Sequence, residues 1–249
     1  MASCSGSSTG PPPAAGPGEA VSAPDPAKLA AGEAAAALVQ DGMLLGLGTG
    51  STAWFVVEAL GRRQREDGLR VTGVATSAAT ERHAASLGLP LAELAALPAL
   101  DLAIDGADEI EEGTLRLIKG LGGALLREKM VAQTARRFII VGDQSKVVRR
   151  LGERVPLPVE VVPFAHGATA RRLPGRPVLR EAEPGQPFTT DNGNLIYDCF
   201  ELDTSFDPEA VEAALCRIAG VVGHGLFLRG VEQAIIGLAD GGTRVMLPG

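Results

Sequence analysis

The sequence predicts an α/β fold: a parallel sheet covered by helices on both faces, followed by a smaller α+β unit. Three observations lead there. Short apolar runs alternate with helical stretches from residue 27 to residue 143, and such continuous apolar strands belong to parallel sheets buried on both faces. The texture changes after Val155, where Pro156, Pro158 and Pro163 frame "VEVV" and a Pro-broken stretch runs on to Pro187. Near the end, "QAIIGLADGGTRVML" (233–247) reads as a closing hairpin around "DGG".

In chain order, "AKLAAGEAAAALVQ" (27–40) is a helix by its alanine content. "MLLGL" (43–47) is a buried strand, "TAWFVVEALGRR" (52–63) a helix, "LRVTGVAT" (69–76) a strand, and "ATERHAASLG" (79–88) a helix stopped by Gly88. "DLAID" (101–105) and "LRLIKG" (115–120) are strands, "GALLREKMVAQTARR" (123–137) a helix and "FIIVGD" (138–143) a strand. In the second unit, "NGNLIYDCFEL" is a strand. "DPEAVEAALCRI" is a helix capped by Asp207 with Pro208 at its first position, and "GLFL" is a short strand. The expected division is a disordered tail over 1–26, a main domain over 27–154 and 232–249, and a small domain over 155–231.

The tail, "MASCSGSSTGPPPAAGPGEAVSAPDP", has a composition that cannot bury a core. It lacks the basic start and apolar centre of a secretory signal. Its Ser and Ala content suits a plastid or mitochondrial transit peptide, but no Arg or Lys precedes Lys28, so the expected compartment is the cytoplasm. The net charge of −7 argues against nucleic-acid or anionic-membrane partners. Cys4, Cys199 and Cys216 are too few for a disulfide framework or a zinc site. His83, His166 and His224 are far apart and read as ordinary hydrogen-bonded histidines.

Three stretches carry chemistry. "GLGTGST" (46–52) joins a strand to a helix. Its glycines let backbone N–H groups crowd toward an anion, the helix N-terminus adds positive potential, and Thr49, Ser51 and Thr52 add hydroxyls. The dinucleotide fingerprint fails because Ser51 stands where the third glycine belongs, and Thr76 and Ser77 stand where an acid belongs. No Gly-Lys-Ser/Thr follows, so a nucleotide phosphate loop fails too. A small phosphorylated ligand fits; a plain strand-to-helix turn is an equal reading of this loop alone.

In "KGLGGALLREKM" (119–130), a helical wheel puts Leu121, Ala124, Leu125, Glu128, Val131, Ala132 and Ala135 on one face, with Arg127 and Gln133 outside it. Glu128 is then a carboxylate inside an apolar stripe. Desolvation raises the pKa of such a group into the range of a general base; a structural Glu paired with a cation is the competing reading. Lys119 and the Gly-rich turn ahead of the helix supply a cation and backbone donors suited to an oxyanion. In "DGADEI" (105–110), Asp105 and Asp108 end a strand where open α/β sheets place ligands. Singly, these acids fit sugar hydroxyls, a ring proton, an oxygen-only magnesium site or a solvated turn. Together with a phosphate cradle, a cation and a half-buried Glu, they point to a polyol phosphate.

These stretches resemble ribose-5-phosphate isomerase type A. The resemblance rests on "GLGTGSTA" (46–53), "DLAIDGADEI" (101–110), "KGLGGALLREKM" (119–130), "PLPVEVVP" (156–163) and "TDNGN" (190–194), in order and spacing, from Lys28 onward. "GGALLREKM" and "GHGLFL" look most like the plant and cyanobacterial branch. The resemblance implies a Rossmann-like domain with an inserted α+β lid. It implies interconversion of D-ribose 5-phosphate and D-ribulose 5-phosphate in the pentose phosphate pathway, no cofactor or metal, and a homodimer or homotetramer. It implies Glu128 as proton acceptor, with Asp105 moving the ring-opening proton and Lys119 stabilising the oxyanion. Thr49, Gly50, Ser51, Thr52, Asp105, Gly106, Ala107, Asp108, Lys119, Gly120, Leu121, Gly122 and Lys146 fall at its substrate contacts, and Lys28 at a phosphate contact. Two rivals remain at this level, a sugar-phosphate sensing module and an amino-sugar phosphate deaminase. Ketose formation from ribose 5-phosphate separates them.

Overall fold

The computed structural model describes residues 25–202 and 206–249. Most of the expected tail, residues 1–24, lies outside the described residues. Its last two residues belong to the first helix: Asp25 caps α1 (Pro26–Ala36) by accepting from the N–H of Ala27 at 3.0 Å. The helix ends four residues short of the alanine-rich run. Leu38 and Val39 turn back onto the carbonyls of Ala35 and Ala36, and Arg63 reaches the carbonyls of Ala36 and Val39, so the exposed last turn is replaced by a side-chain cap.

The main sheet contains β1 (Leu44–Leu47), β2 (Thr72–Ala75), β3 (Leu102–Gly106), β4 (Phe138–Asp143), β5 (Val231–Gly237) and β6 (Thr243–Met246). The order across the sheet is β6-β5-β4-β3-β1-β2. Every pairing is parallel except the closing β5–β6 hairpin. Along β4 the side chains alternate. Ile139 and Val141 join one core with β1, β3 and the helices α1, α2 (Ser51–Asp67) and α3 (Ala78–Ser86). Phe138 and Ile140 join a second core with Val131 of α4 (Leu125–Thr134). Helices therefore cover both faces, which is why the strands read as uniformly apolar.

The chain leaves β1 for β2 on one side and returns to β3 on the other. That reversal opens a crevice at the carboxyl ends of β1 and β3, the usual ligand position in such sheets.

The small unit is an antiparallel sheet in the order 221–224, 157–161, 195–200, 176–179. It packs with α5 (His166–Ala170) and α6 (Pro208–Leu215), and Asp207 caps α6 as the sequence predicts. A further sheet joins 226–227, 117–118, 109–111 and 147–148, and the small unit's core draws in Ile118, Val148 and Leu151. Segments on both sides of residue 154 thus share one apolar core. Two-residue strands cannot be recognised from period-2 alternation, so the boundary is not readable from the sequence.

Candidate active site

The loop after β1 and the end of β3 meet at the crevice. The Thr49 N–H donates to Asp105 Oδ1 at 3.0 Å, and an added Cβ on Gly48 would lie 2.4 Å from the Asp105 Cα. Only glycine permits that approach. Gly50, at φ +109°, turns the chain into α2 and leaves the first turn of that helix without a side-chain cap. Its N–H groups and positive end face the crevice at Ser51 and Thr52.

The Thr49 hydroxyl is used differently from expectation. It lies 2.7 Å from Thr76 Oγ1, 2.9 Å from Ser77 Oγ and 3.2 Å from Thr80 Oγ1, while Thr80 also donates to the Gly48 carbonyl. The positions where a dinucleotide site would hold an acid instead hold hydroxyls that stiffen the loop from beneath.

The cleft encloses about 80 Å³ and widens to about 460 Å³ when its solvent-open mouth is counted. Thr49, Gly50, Ser51, Thr52, Gly106, Ala107, Asp108, Lys119, Gly120, Gly122, Glu128 and Lys146 line it. The ammonium of Lys146, beside β4 in the turn Gln144–Lys146, has no protein partner among the described residues. A free cation and an uncapped helix N-terminus in one cleft make an anion site.

At the other end of the cleft is a buried triad of charges. Lys119 is 2% exposed, and its Nζ lies 3.1 Å from Asp105 Oδ2 and 3.2 Å from Glu128 Oε1. It also donates to the Gly106 carbonyl. Burial opposes its charge, but Asp105 and Glu128 outweigh that and hold its pKa above the ordinary value. Burial pushes both carboxyls up. For Asp105 the rise is opposed by Lys119 and by the N–H groups of Thr49 and Gly106. For Glu128 it is reinforced by the charge of Asp105, and the pKa is pushed up to about 8. Glu128 Oε2 is buried and has no donor among the described residues.

The three polar residues of "REK" point three ways and fix α4. Arg127 donates to Asn192 Oδ1 and the Asp191 carbonyl, both at 2.9 Å. Glu128 points to Lys119. Lys129 donates to the carbonyls of His224 and Leu226 at 2.8 and 2.7 Å, and burial lowers its pKa to about 8. The "TDNGN" loop is built on Glu160, which is fully buried. Its Oε1 accepts from Thr190 and Asn194, both at 2.9 Å. Asp191 Oδ2 accepts from the Ala78 N–H at 2.8 Å, next to the hydroxyl cluster. The loop thereby ties the helix bearing Glu128 to α3, whose first turn holds the loop after β1.

Three expected residues are placed differently. Asp105 is 2% exposed, lies beneath the cleft, and has both oxygens engaged. Leu121 precedes α4 instead of lying on its face and is 38% exposed. Its N–H donates to Asp108 Oδ2 at 2.9 Å, so its contribution is through the backbone. Lys28 does not line the cleft. Its Nζ is 3.8 Å from Asp25, at the same end of the sheet, where Ala27 abuts Gly237. The neighbouring acid Glu109 is structural: it accepts from the N–H groups of Gly152, Arg154 and Val155 at 2.6, 2.6 and 3.0 Å. Arg180, which no sequence signal marks, donates to the carbonyls of Gly120 and Leu121.

Known proteins resemble this chain in sequence and fold. The family model described as ribose 5-phosphate isomerase A (phosphoriboisomerase A) matches residues 72–241. A ribose-5-phosphate isomerase A of Roseiflexus sp. (strain RS-1) is 53% identical over 214 residues, covering 84% of this chain and 91% of that protein. One from Gloeobacter violaceus is 50% identical, covering 89% and 96%. Among solved structures, ribose 5-phosphate isomerase A from Methanocaldococcus jannaschii superposes with TM-score 0.83 at 40% identity, covering 88% of this chain and 97% of that one. A D-ribose-5-phosphate isomerase in complex with phospho-erythronic acid gives the same TM-score at 33% identity, with the same coverage of both chains.

Proposed function

The chain belongs to the ribose 5-phosphate isomerase A family and interconverts D-ribose 5-phosphate and D-ribulose 5-phosphate, and we propose that Glu128 is the base that moves the proton between C2 and C1. The observation that carries this is the buried Oε2 of Glu128, without a donor among the described residues, on a carboxyl whose other oxygen meets Lys119. A carboxylate that has given up its water and most of its hydrogen bonds is a stronger base.

The substrate phosphate binds at the first turn of α2 (Ser51, Thr52) and at Lys146, with Lys28 reaching in from the rim. Asp108, which lines the cleft and receives the Leu121 N–H on Oδ2, takes the C1 hydroxyl proton on Oδ1 and returns it to the ring oxygen as the bond between that oxygen and C1 breaks. Asp105, expected from sequence in that role, instead holds Lys119 in place. The ammonium of Lys119 and the N–H groups of the 120–122 turn stabilise the enediolate oxygen. Triosephosphate isomerase uses a Glu base for the same class of proton transfer.

Hydrogen exchange tests this. The native chain should exchange the C2 hydrogen of ribose 5-phosphate with deuterated water, and Glu128→Gln should not. Exchange persisting in the variant would remove Glu128 from the role of base. Turnover that survives a chelator would agree with chemistry carried by side chains. We further propose a cytoplasmic enzyme that assembles as a dimer or tetramer. Sedimentation measures the assembly.

A further inference from the structure

Arg180 lies between two short strands of the small unit, yet its guanidinium is directed at the main domain. Nε donates to Asp198 Oδ2 at 2.8 Å and Nη2 to Asp198 Oδ1, a two-pronged pair with both side chains shielded, 13% and 15% exposed. The pair fixes the plane of the guanidinium. The remaining nitrogen, Nη1, donates to the carbonyls of Gly120 and Leu121, each at 3.0 Å.

Those two carbonyls matter because of what lies at the other end of each amide. The Gly120 carbonyl shares its peptide with the Leu121 N–H, which donates to Asp108 Oδ2 at 2.9 Å. The Leu121 carbonyl shares its peptide with the N–H of Gly122, a residue of the cleft lining; that N–H meets no protein acceptor among the described residues. A cation hydrogen-bonded to a carbonyl draws electron density from its amide nitrogen and makes the N–H a better donor, a cooperative gain of about 10–30% per bond. It also fixes the peptide plane, so the N–H does not have to reorient as charge develops.

We infer that Arg180, held by Asp198, is a positioning residue of the isomerase site: from the small unit it orients and polarises the Gly120–Gly122 turn that receives the enediolate oxygen. Arg180 does not touch the substrate. Its effect is confined to the oxyanion end of the cleft, away from the phosphate end at Ser51 and Lys146. The inference rests on the enediolate reading of the site.

The test compares Arg180→Gln, Arg180→Lys and Asp198→Asn with the native chain. Two ligands report on the two ends of the cleft: inorganic phosphate, and a four-carbon hydroxamate phosphate that imitates the enediolate. Arg180→Gln should lower kcat about tenfold with KM nearly unchanged. It should weaken the hydroxamate by a similar factor and leave inhibition by inorganic phosphate as it was. Arg180→Lys keeps the charge but loses the fixed plane and should recover only part of the loss; Asp198→Asn should fall between it and the native chain. If Arg180→Gln does not fold, the other two variants carry the comparison. Unchanged kcat in the folded variants, or equal weakening of both ligands, would overturn the inference. Glu128→Gln run alongside separates the two ideas. If it retains turnover, the enediolate reading itself is wrong; if it is inactive while the Arg180 variants behave as native, only the role of Arg180 falls.

Discussion

Lys119 Nζ lies 3.2 Å from Glu128 Oε1, and Glu128 Oε2 is buried beside it without a donor among the described residues. One oxygen is held while the other is left able to take a proton. Replacing Glu128 with Gln keeps the volume and removes the basicity. Turnover should drop by about 10²–10⁴-fold, the usual contribution of a general base, with circular dichroism and inhibition by phosphate little changed. A variant with near-native kcat would make Glu128 a structural partner of Lys119.

The pH dependence follows from the same carboxyl. Burial first, then the charge of Asp105, push Glu128 up to about 8, against the pull of Lys119. The base must be ionised, so kcat/KM should fall about tenfold per pH unit on the acid side of that value. Stability moves in the opposite sense. Between the ordinary 4.5 and about 8 the folded chain keeps a proton that the unfolded chain has released. The stability linked to this group is therefore fully present below 4.5 and is lost as pH rises through about 8. Glu128→Gln cannot ionise and should flatten that decline in urea unfolding measured from about pH 4 to 9, a range that spans the linked window. An identical slope in both chains would contradict the assignment.

Glu109 stands beside Asp105 and Asp108 in sequence and does other work. Its carboxylate collects three backbone N–H groups from residues 152–155. Glu109→Ala leaves those donors without their acceptor and should cost about 3 kcal/mol or more of folding free energy, while kcat per folded molecule stays native. A loss below about 1 kcal/mol would mean that water replaces the carboxylate.

Lys146 and Lys28 should differ in degree. Lys146 faces the cleft without a partner among the described residues, and Lys28 stands at the rim beside Asp25. Loss of a charge-assisted hydrogen bond is worth about 1.5–3 kcal/mol, so Lys146→Ala should weaken inhibition by phosphate about tenfold or more. Lys28→Ala should have a smaller effect, and kcat should change less than KM in both. Equal, native-like inhibition constants would remove both lysines from the phosphate site.

How far the sequence carries can be seen residue by residue. Glu128 is legible because a helical wheel reports burial without needing tertiary detail: Leu125, Glu128 and Val131 are all buried on α4. The loop after β1 is legible as a tight strand-to-helix junction from its glycine spacing, which the close approach of Gly48 to Asp105 requires. Arg180 is not, since it sits in a Pro-broken stretch with no periodicity and acts through a contact 60 residues away in the chain. Which of Asp105 and Asp108 faces the cleft is hidden for a different reason. The motif places both at the end of β3, but which one faces the cleft depends on the close approach of Gly48 to Asp105, a packing fact between two strands. Glu160 is invisible inside "VEVV" because nothing local shows that a buried Glu has Thr190 and Asn194 waiting for it.

The start of α1 sets where the chain can be shortened. Composition invites a cut before residue 27, since "SAPDP" reads as the end of a polar tail. Asp25, however, accepts from the Ala27 N–H and is the N-cap of the helix, and Pro26 is its first residue. A chain beginning at Asp25 keeps the cap; one beginning at Ala27 loses it along with the ion-pair partner of Lys28. An N-cap is worth about 0.5–2 kcal/mol, and α1 packs on α2, β4 and β5, so fraying it exposes core. The shorter chain should therefore unfold at lower urea than the longer one, with a small rise in KM as Lys28 loses its support. Restoring Asp-Pro ahead of Ala27 should recover both. Equal midpoints for the two truncations would show that the packing of α1 against the sheet, and not its cap, holds the helix in place.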